Sequence, residues 1–184
     1  KKIRDESELV VQNYSKWWNE FSLNTKIYEA IKTYSKTDEA QKLQGEKKRF
    51  LKHLLRDFKR AGLELPEEKR NQVKEIRNQL TDLSINFNKN IREYKWEKEY
   101  SVEELAGLPE DFIQSYKTEN GKVKVNLDYP CYIPIMKYAK SEKVRQEMMI
   151  EFLNRAADKN PKILREILKL RQKKADLLGY KTHA

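Results

Sequence analysis

An uninterrupted apolar stripe at helical spacing runs through the middle of this 184-residue chain. Its members recur every three or four positions: Val73, Ile76, Leu80, Leu83, Phe87, Ile91 and Tyr94. Pro66 suits a first helical position, and Glu67 and Glu68 favour the positive end of the helix dipole. A helix of this extent is roughly 40 Å long, which is too long for a compact small bundle. The stripe therefore predicts one long central helix that acts as a wall or strut and has a large partner surface.

Shorter helical patterns precede the stripe. The first is rich in aromatic residues and has these members: Leu9, Val10, Tyr14, Trp17, Trp18 and Phe21. Asn24 or Thr25 is suited to cap a second helix, which continues to Tyr34. Asp38 opens a further element. We expect these segments to contribute apolar faces to a helical core.

A third pattern leads up to Gly62. Its apolar face consists of Phe50, Leu51, Leu54, Leu55 and Phe58. Gly62 follows where a left-handed residue commonly ends a helix. The pattern predicts a helix that stops at this glycine.

Alternating spacing replaces helical spacing after the long stripe. Residues 95–100 and 122–127 alternate between apolar and polar positions, and Asn120-Gly121 is a strong turn signal before the second run. We predict that the two segments pair as antiparallel strands. The predicted fold class is thus mainly α, a multi-helix domain over residues 1–184 with one long central helix and a small antiparallel β pair.

Proline residues punctuate the region around these strands. Ser101 and Glu104 form a capping box that predicts a short helix, and Pro109 begins another. Pro130 and Pro134 bracket what we interpret as an aromatic turn at 129–134.

Two helices are predicted in the last third of the chain. Ser141 is suited to cap the first, whose apolar positions are Val144, Met148, Phe152 and Ala156. Asn160-Pro161 begins the second, which runs to Gly179. No repeat of fixed period is visible, which argues against a solenoid.

The formal net charge is +10, from 39 Lys and Arg against 29 Asp and Glu. Clustered cations favour nucleic acid because they release counterions from phosphates. Here the basic residues are interleaved with acidic ones, and the densest cluster, residues 47–49, lies within a helical pattern. A solvated helix surface is the favoured interpretation.

The residues that could carry catalysis are few. A zinc peptidase site needs two histidines one helical turn apart with a glutamate between them, whereas this chain has only His53 and His183. No nucleophile elbow, Walker loop or dinucleotide fingerprint is present. Cys131 is flanked by prolines and aromatic residues, which favours a packed structural cysteine over a nucleophile. We therefore assign no catalytic, cofactor-binding or metal-ligating residue.

Aromatic side chains could instead bind nucleic acid. Three groups could stack on nucleic-acid bases: Trp17-Trp18, Tyr94-Trp96-Tyr100 and Tyr129-Tyr132. At helical or strand spacing such residues more often belong to a core, and no RNA-binding signature accompanies them. We interpret them as core.

The single cysteine excludes an intrachain disulfide and favours a reducing compartment. No apolar stretch approaches the roughly 20 residues that span a bilayer. The first residues, 1–5, lead into a polar helix rather than a signal-peptide core, and the chain does not begin with Met. We expect a folded protein of the cytoplasm, with the mitochondrial matrix as the alternative.

Several motifs, in one order, resemble a known enzyme family. The first matches are Gly62-Leu63-Glu64-Leu65-Pro66 and the Phe87-Asn88-Lys89-Asn90 run at the end of the long helix. The later ones are Glu103-Glu104-Leu105-Ala106-Gly107-Leu108-Pro109-Glu110-Asp111-Phe112, Asn120-Gly121-Lys122-Val123-Lys124-Val125, Tyr129-Pro130-Cys131-Tyr132-Ile133-Pro134 and Leu177-Leu178-Gly179-Tyr180-Lys181-Thr182-His183-Ala184. The chain resembles the thimet oligopeptidase, neurolysin and saccharolysin family of zinc metallo-oligopeptidases over residues 40–184.

The resemblance implies an elongated helical enzyme with two halves that flank a deep channel, and zinc in the C-terminal half. This chain is similar to part of the N-terminal half, and the family's His-Glu-x-x-His motif would lie beyond Ala184. The expected cofactor of the parent enzyme is thus Zn, none of it bound by this chain. Expected partners are the catalytic half of the same protein and short peptides, with no nucleic acid and no membrane.

Two functional hypotheses follow. In the first, the helices of this chain wall the channel of a metalloendopeptidase so that only short, flexible peptides reach the metal, and the isolated chain is inactive. The positive charge would also favour acidic peptides. In the second, the chain is a basic helical scaffold or nucleic-acid-binding module unrelated to peptidases.

Overall fold

A computed structural model describes residues 2–183, with every side chain among them except those of Lys2 and Asp5. Lys1 and Ala184, the ends of the predicted 1–184 domain, lie outside the described residues. Within the described range the fold is mainly α, with nine helices and one two-stranded antiparallel sheet, which confirms the predicted fold class.

The described residues form two compact units. Unit 1 comprises residues 2–87 and 162–183, and unit 2 comprises residues 88–161. The prediction of a single domain over 1–184 stays a prediction.

Unit 1 is built from helices alone. They are α1 (Lys2–Phe21), α2 (Thr25–Tyr34), α3 (Asp38–Gln41), α4 (Gly45–Ala61), most of α5 (Glu67–Glu93) and most of α9 (Asn160–Leu177). Leu23, Tyr28 and Leu63 form a small buried cluster, against which Leu55 and Phe58 of α4 pack. The rings of Tyr28 and Phe58 lie 5.8 Å apart, so α2 is held against α4.

The ends of these helices follow local signals. The Asn24 side chain accepts hydrogen bonds from the backbone N–H groups of Lys26 and Ile27, which confirms the predicted cap of α2. Gly62 has φ +103° and ends α4 as predicted, because glycine adopts the left-handed conformation without a clash at Cβ. Helix α5 begins at Glu67, one residue later than predicted. It is nevertheless the long helix that the stripe predicts.

Unit 2 combines a small sheet with helices. Strand β1 (Glu97–Tyr100) pairs antiparallel with β2 (Val123–Asn126), in a register that places Glu97 opposite Asn126. The helices are α6 (Glu110–Tyr116), α7 (Tyr129–Tyr138) and α8 (Glu142–Leu153), with the end of α5. The predicted strand pair is confirmed, with slightly shorter strands.

One dense core joins the sheet of unit 2 to its helices. The cluster of buried residues is Tyr100, Leu105, Phe112, Ile113, Val123, Val125, Leu127, Cys131, Ile135, Ala139, Val144 and Met148. Its members come from both strands and from all three helices of the unit. The sheet is therefore stabilised by burial of its inner face, since an isolated two-stranded hairpin is marginal in water.

The predicted helix after Ser101 is wrong. The capping box does form, because the Ser101 N–H donates to Glu104 and the Glu104 N–H donates to the Ser101 hydroxyl. Residues 102–107, however, are turns. Gly107 has φ +103°, and the carbonyl oxygen of Tyr138 lies only 2.3 Å from where a Cβ would stand at this position. The close approach of that carbonyl fixes a turn where local signals favour a helix.

Two other predictions near the prolines need correction. The predicted aromatic turn at 129–134 is the first part of α7, because Pro130 occupies a first-turn position where its missing N–H needs no helical partner. Helix α8 ends at Leu153, so Ala156 lies outside it, with φ +59°. The Asn154 side chain donates to the Ile150 carbonyl at 2.8 Å, and α9 begins soon after, at Asn160. The short space between the two helices requires a sharp turn at this point.

Candidate functional site

The two histidines do not assemble a metal site. His53 is half-buried on α4, and His183 is exposed, with a pKa lowered first by partial burial and then by the charges of Lys174 and Arg171. Within residues 2–183, no three His, Cys, Asp or Glu side chains come together as a set of metal ligands. Residues 2–183 thus provide no set of side chains that could coordinate zinc.

Cys131 is a core residue, as predicted. It is fully buried in unit 2, and its sulfur accepts a hydrogen bond from the Asn126 N–H at 3.3 Å. Burial raises the pKa of the thiol, which keeps it protonated and unreactive. The thiol is therefore structural.

The aromatic groups divide between the two units. In unit 2, Tyr100 is a core residue, and Tyr94, Trp96 and Tyr132 pack against the core, which confirms the core interpretation for these residues. The same interpretation is wrong for Trp17 and Trp18, whose exposed fractions are 53% and 47%. It is also wrong for Tyr129, which is exposed.

The exposed face of α1 is continuous. It consists of Val10, Tyr14, Trp17, Trp18 and Phe21, and we call it the α1 aromatic face. Its four aromatic rings form a chain of neighbouring pairs, among which Trp17 and Phe21 stack at 5.4 Å. Exposed apolar surface of this extent marks an interaction site in many proteins.

An apolar groove lies between α2 and α4 in unit 1. Its volume is about 720 Å³. The lining residues are Ala30, Ile31, Tyr34, Leu43, Glu46, Lys47, Phe50, Leu51 and Leu54. The sequence pattern predicted the apolar face of α4 correctly but not that one edge of it stays open.

A polar cleft of about 570 Å³ lies in unit 2, between the end of α5 and the start of α7. Arg92, Lys95 and Arg155 are its basic residues, and Glu97 and Asp128 its acidic ones. The Arg155 guanidinium lies 3.7 Å from the centre of the Phe152 ring and donates to the Phe152 carbonyl. Arg155 thus makes its contacts within unit 2, with Phe152.

A polar network holds β1 against α8. The Tyr100 hydroxyl donates to the Glu147 carboxylate at 2.9 Å, and the Lys98 ammonium donates to the other oxygen of that carboxylate. The bond from Lys98, followed by that from Tyr100, holds the pKa of Glu147 below its ordinary value, although partial burial opposes the shift. Burial and the bond to Glu147 raise the pKa of Tyr100. The network is structural, because each member bonds within unit 2.

The basic surface carries no visible catalytic group. Residues 47–49 are exposed on α4, as expected for a solvated face. Among residues 2–183, no helix is both long enough and apolar enough to cross a membrane. Neither the α2–α4 groove nor the polar cleft is lined by a cysteine, serine or histidine.

Comparison with known proteins identifies the family. The model of peptidase family M3 matches residues 135–184. Thimet-like oligopeptidase of Dictyostelium discoideum is 35% identical over all of this chain, which spans 28% of that protein. Oligopeptidase A of Escherichia coli is 30% identical over 95% of the chain and 28% of that protein. Saccharolysin of Saccharomyces cerevisiae is 33% identical over 79% of the chain and 21% of that protein.

These relatives agree with the resemblance found in the motifs. Two of the three are named as oligopeptidases, and none of these comparisons supports an unrelated nucleic-acid module. The chain spans less than a third of the length of each of these relatives. By sequence, this chain belongs to peptidase family M3.

Proposed function

We propose that this chain is a non-catalytic part of the N-terminal half of a zinc-dependent oligopeptidase and that its helices wall the channel through which peptides reach the metal. The observation that carries the proposal is the match over the whole chain to relatives named as oligopeptidases, of which it spans 28%. The lack of a metal-ligand set among residues 2–183 supports a non-catalytic role.

Zinc, in this proposal, is held by residues outside this sequence. His53 and His183 cannot provide the paired ligands of a peptidase motif, so no catalytic step is assigned to this chain. When bound in the parent enzyme, zinc would supply the Lewis acid that polarises the scissile carbonyl. The proposed contribution of this chain is steric. Helix α5, with 27 residues, would form a channel wall of roughly 40 Å.

The first experiment compares three proteins in the cleavage of a short quenched-fluorescent peptide. They are the 184-residue chain, the full protein encoded by the same gene, and the chain mixed with the separately produced remainder. We expect hydrolysis by the full protein, its loss on chelation and recovery with Zn, and no hydrolysis by the chain alone. Zinc-dependent hydrolysis by the chain alone, or a gene without a His-Glu-x-x-His motif, would overturn the proposal.

The wall hypothesis is tested by substrate size. The same cleavable sequence is placed in a short peptide and in an exposed loop of a stable folded protein, with the unfolded form of that protein as the control. A channel wall predicts rapid cleavage of the peptide, little cleavage of the folded carrier and recovery of cleavage when the carrier is unfolded. Equal rates for the peptide and the folded carrier would contradict steric selection.

Substrate charge and compartment complete the proposal. The net charge of +10 supports a preference for acidic peptides, which a peptide series that varies only in charge would reveal as a salt-sensitive trend in kcat/KM. A series without a trend in kcat/KM would contradict this preference for acidic peptides.

We place the parent enzyme in the cytoplasm, with the mitochondrial matrix as the alternative, and subcellular fractionation separates the two.

A further inference from the structure

A second cleft in unit 1 gathers more positive than negative charge. It lies among α4, α5 and α9, and its volume is about 330 Å³. The lining residues are Asp57, Arg60, Ala61, Val73, Arg77, Lys174 and Leu178. Three of the four ionisable side chains in this lining are cations. We call it the cationic cleft.

Two of these cations are half-buried. Arg77 lies on α5 and Lys174 on α9, beside the buried residues Val73 and Ala175. Burial is the first cause that lowers the pKa of both side chains, and for Lys174 the charge of Arg77 is the second. Like charges that share a partly desolvated site oppose the folded state unless an opposite charge joins them.

No acidic side chain in the described chain supplies that opposite charge. Neither the Arg77 guanidinium nor the Lys174 ammonium forms an ion pair or hydrogen bond within residues 2–183. Asp57, the acid in the lining, pairs with Arg56 at 2.8 Å. Arg171 adds further positive charge near Lys174.

The two cations remain accessible to a ligand. No side-chain nitrogen or oxygen of the described residues is both fully buried and unpaired, so the unpaired nitrogens of Arg77 and Lys174 keep some contact with solvent. A guanidinium offers two parallel N–H donors to a carboxylate or phosphate, and an ammonium adds a point charge. Val73 and Leu178 contribute apolar side chains to the same lining.

We infer that the cationic cleft binds a compact oxyanion, a carboxylate or a phosphate, between Arg77 and Lys174. The peptidase proposal assigns no role to this cleft, and the inference needs neither zinc nor the rest of the parent enzyme. The bound anion would neutralise the two like charges and so stabilise unit 1.

The test measures thermal unfolding and binding with the 184-residue chain. Three probes are added at constant ionic strength: inorganic phosphate, an acetylated peptide with a free C-terminal carboxylate, and the same peptide as its amide. A ligand that binds only the folded state raises Tm with concentration. We expect phosphate or the peptide acid to raise Tm above the chloride control, and the amide to have no effect.

Variants locate the binding site. Lys174→Met and Arg77→Gln each remove one charge, and we expect each to weaken the calorimetric Kd at least tenfold, the loss of about 1.4 kcal/mol. Lys173→Met, at the exposed neighbouring position on α9, is the matched control and keeps wild-type affinity. In chloride buffer without phosphate or carboxylate, Lys174→Met should unfold at or above the wild-type Tm because it removes a desolvated like charge. Far-UV circular dichroism verifies the fold of this variant.

The outcomes separate the possible sources of the anion. A response to phosphate alone supports a phosphoryl ligand, and a response to the acid but not the amide supports a peptide carboxylate. Equal Tm shifts in the wild type and in Lys174→Met would mean general screening and overturn the inference. No shift above chloride would overturn it too. Neither result affects the peptidase proposal, whose test is hydrolysis by the full protein.

Discussion

Unit 2 has the fewer residues but the larger core. Val123, Val125, Cys131, Ile135 and Met148 are all fully buried there, in one cluster that joins a sheet to its helices. The buried cluster of unit 1 is Leu23, Tyr28 and Leu63, and Val73, Ile76, Ile167 and Ala175 are buried outside that cluster. No residue of α4 is buried, although its apolar face has five members.

This difference indicates where each unit obtains its stability. Unit 2 buries a cluster of twelve residues among its own elements, although Tyr129, Ile133 and Leu153 stay exposed. Unit 1 leaves the α1 aromatic face and the α2–α4 groove open. Large exposed apolar surfaces in a folded protein usually mark contacts with other chain segments or partners. We therefore expect substitutions in the core of unit 2 to be costly and those on the open faces of unit 1 to be nearly neutral in this chain.

The largest expected effect is from Ile135→Ala in the core of unit 2. The side chain is fully buried, and its truncation should lower the free energy of unfolding by about 2–5 kcal/mol through lost burial and the cavity left behind. Denaturant unfolding is followed by fluorescence in a background with Trp17→Phe and Trp18→Phe, where Trp96 reports on unit 2. Leu153→Ala, at a side chain 68% exposed, is the control, and equal costs for the two would refute the comparison.

Gly107→Ala should have the next largest effect. The new Cβ would lie 2.3 Å from the Tyr138 carbonyl oxygen, and φ of +103° adds backbone strain, so we expect a loss of about 2–4 kcal/mol. Gly121→Ala is the matched control, since φ is +81° there but no atom lies within 4 Å of the Cβ position. It should cost about 1 kcal/mol. If both variants unfold at the same denaturant concentration, the close contact has no energetic role.

Glu147→Gln tests the contribution of a charged network in unit 2 to stability, because that contribution depends on pH. At neutral pH the loss of the charged acceptor for Tyr100 and Lys98 should cost about 1–2 kcal/mol. Because the pKa of Glu147 is lowered in the folded state, its contribution is present above the unfolded pKa and is lost as pH falls through the folded pKa. The stability difference from wild type should shrink in acid. A difference that is constant down to strongly acidic pH would exclude the charge as its cause.

The smallest expected effect is from Trp17→Ser on the α1 aromatic face. The ring is 53% exposed, so the change in the free energy of unfolding should stay within roughly 0.5 kcal/mol, in contrast to Ile135→Ala. The same substitution in the full parent protein should cost clearly more if other segments cover this face there. Thermal unfolding of both proteins, with and without the substitution, decides this, and a small effect in both would mean that the face stays open.

Much of the secondary structure was predictable because its signals are local. The Asn24 cap, the end of α4 at Gly62 and the antiparallel pair near Asn120-Gly121 each depend on a few neighbouring residues. One error arose where a distant contact overrode such a signal. Ser101 and Glu104 form their capping box, yet the approach of the Tyr138 carbonyl to Gly107 leaves a turn instead of a helix.

The candidate sites were harder to predict. The role of Cys131 followed from its apolar neighbours, whereas the exposure of Trp17 could not be inferred from a helical stripe. A stripe shows that a face is apolar, not that another element covers it. The cationic cleft was not predicted at all, because Arg77 and Lys174 are far apart in sequence and meet only after α5 and α9 pack in unit 1.

By itself, the sequence determined the mainly helical fold, the long α5, the strand pair and membership of the M3 peptidase family, because periodicity, capping residues and motifs are properties of short segments. The tertiary structure alone decided which apolar faces are covered, where helices yield to turns and which charges lack partners. Burial and electrostatic pairing depend on residues that are distant in the chain, and only their positions in space determine the energy of each contact.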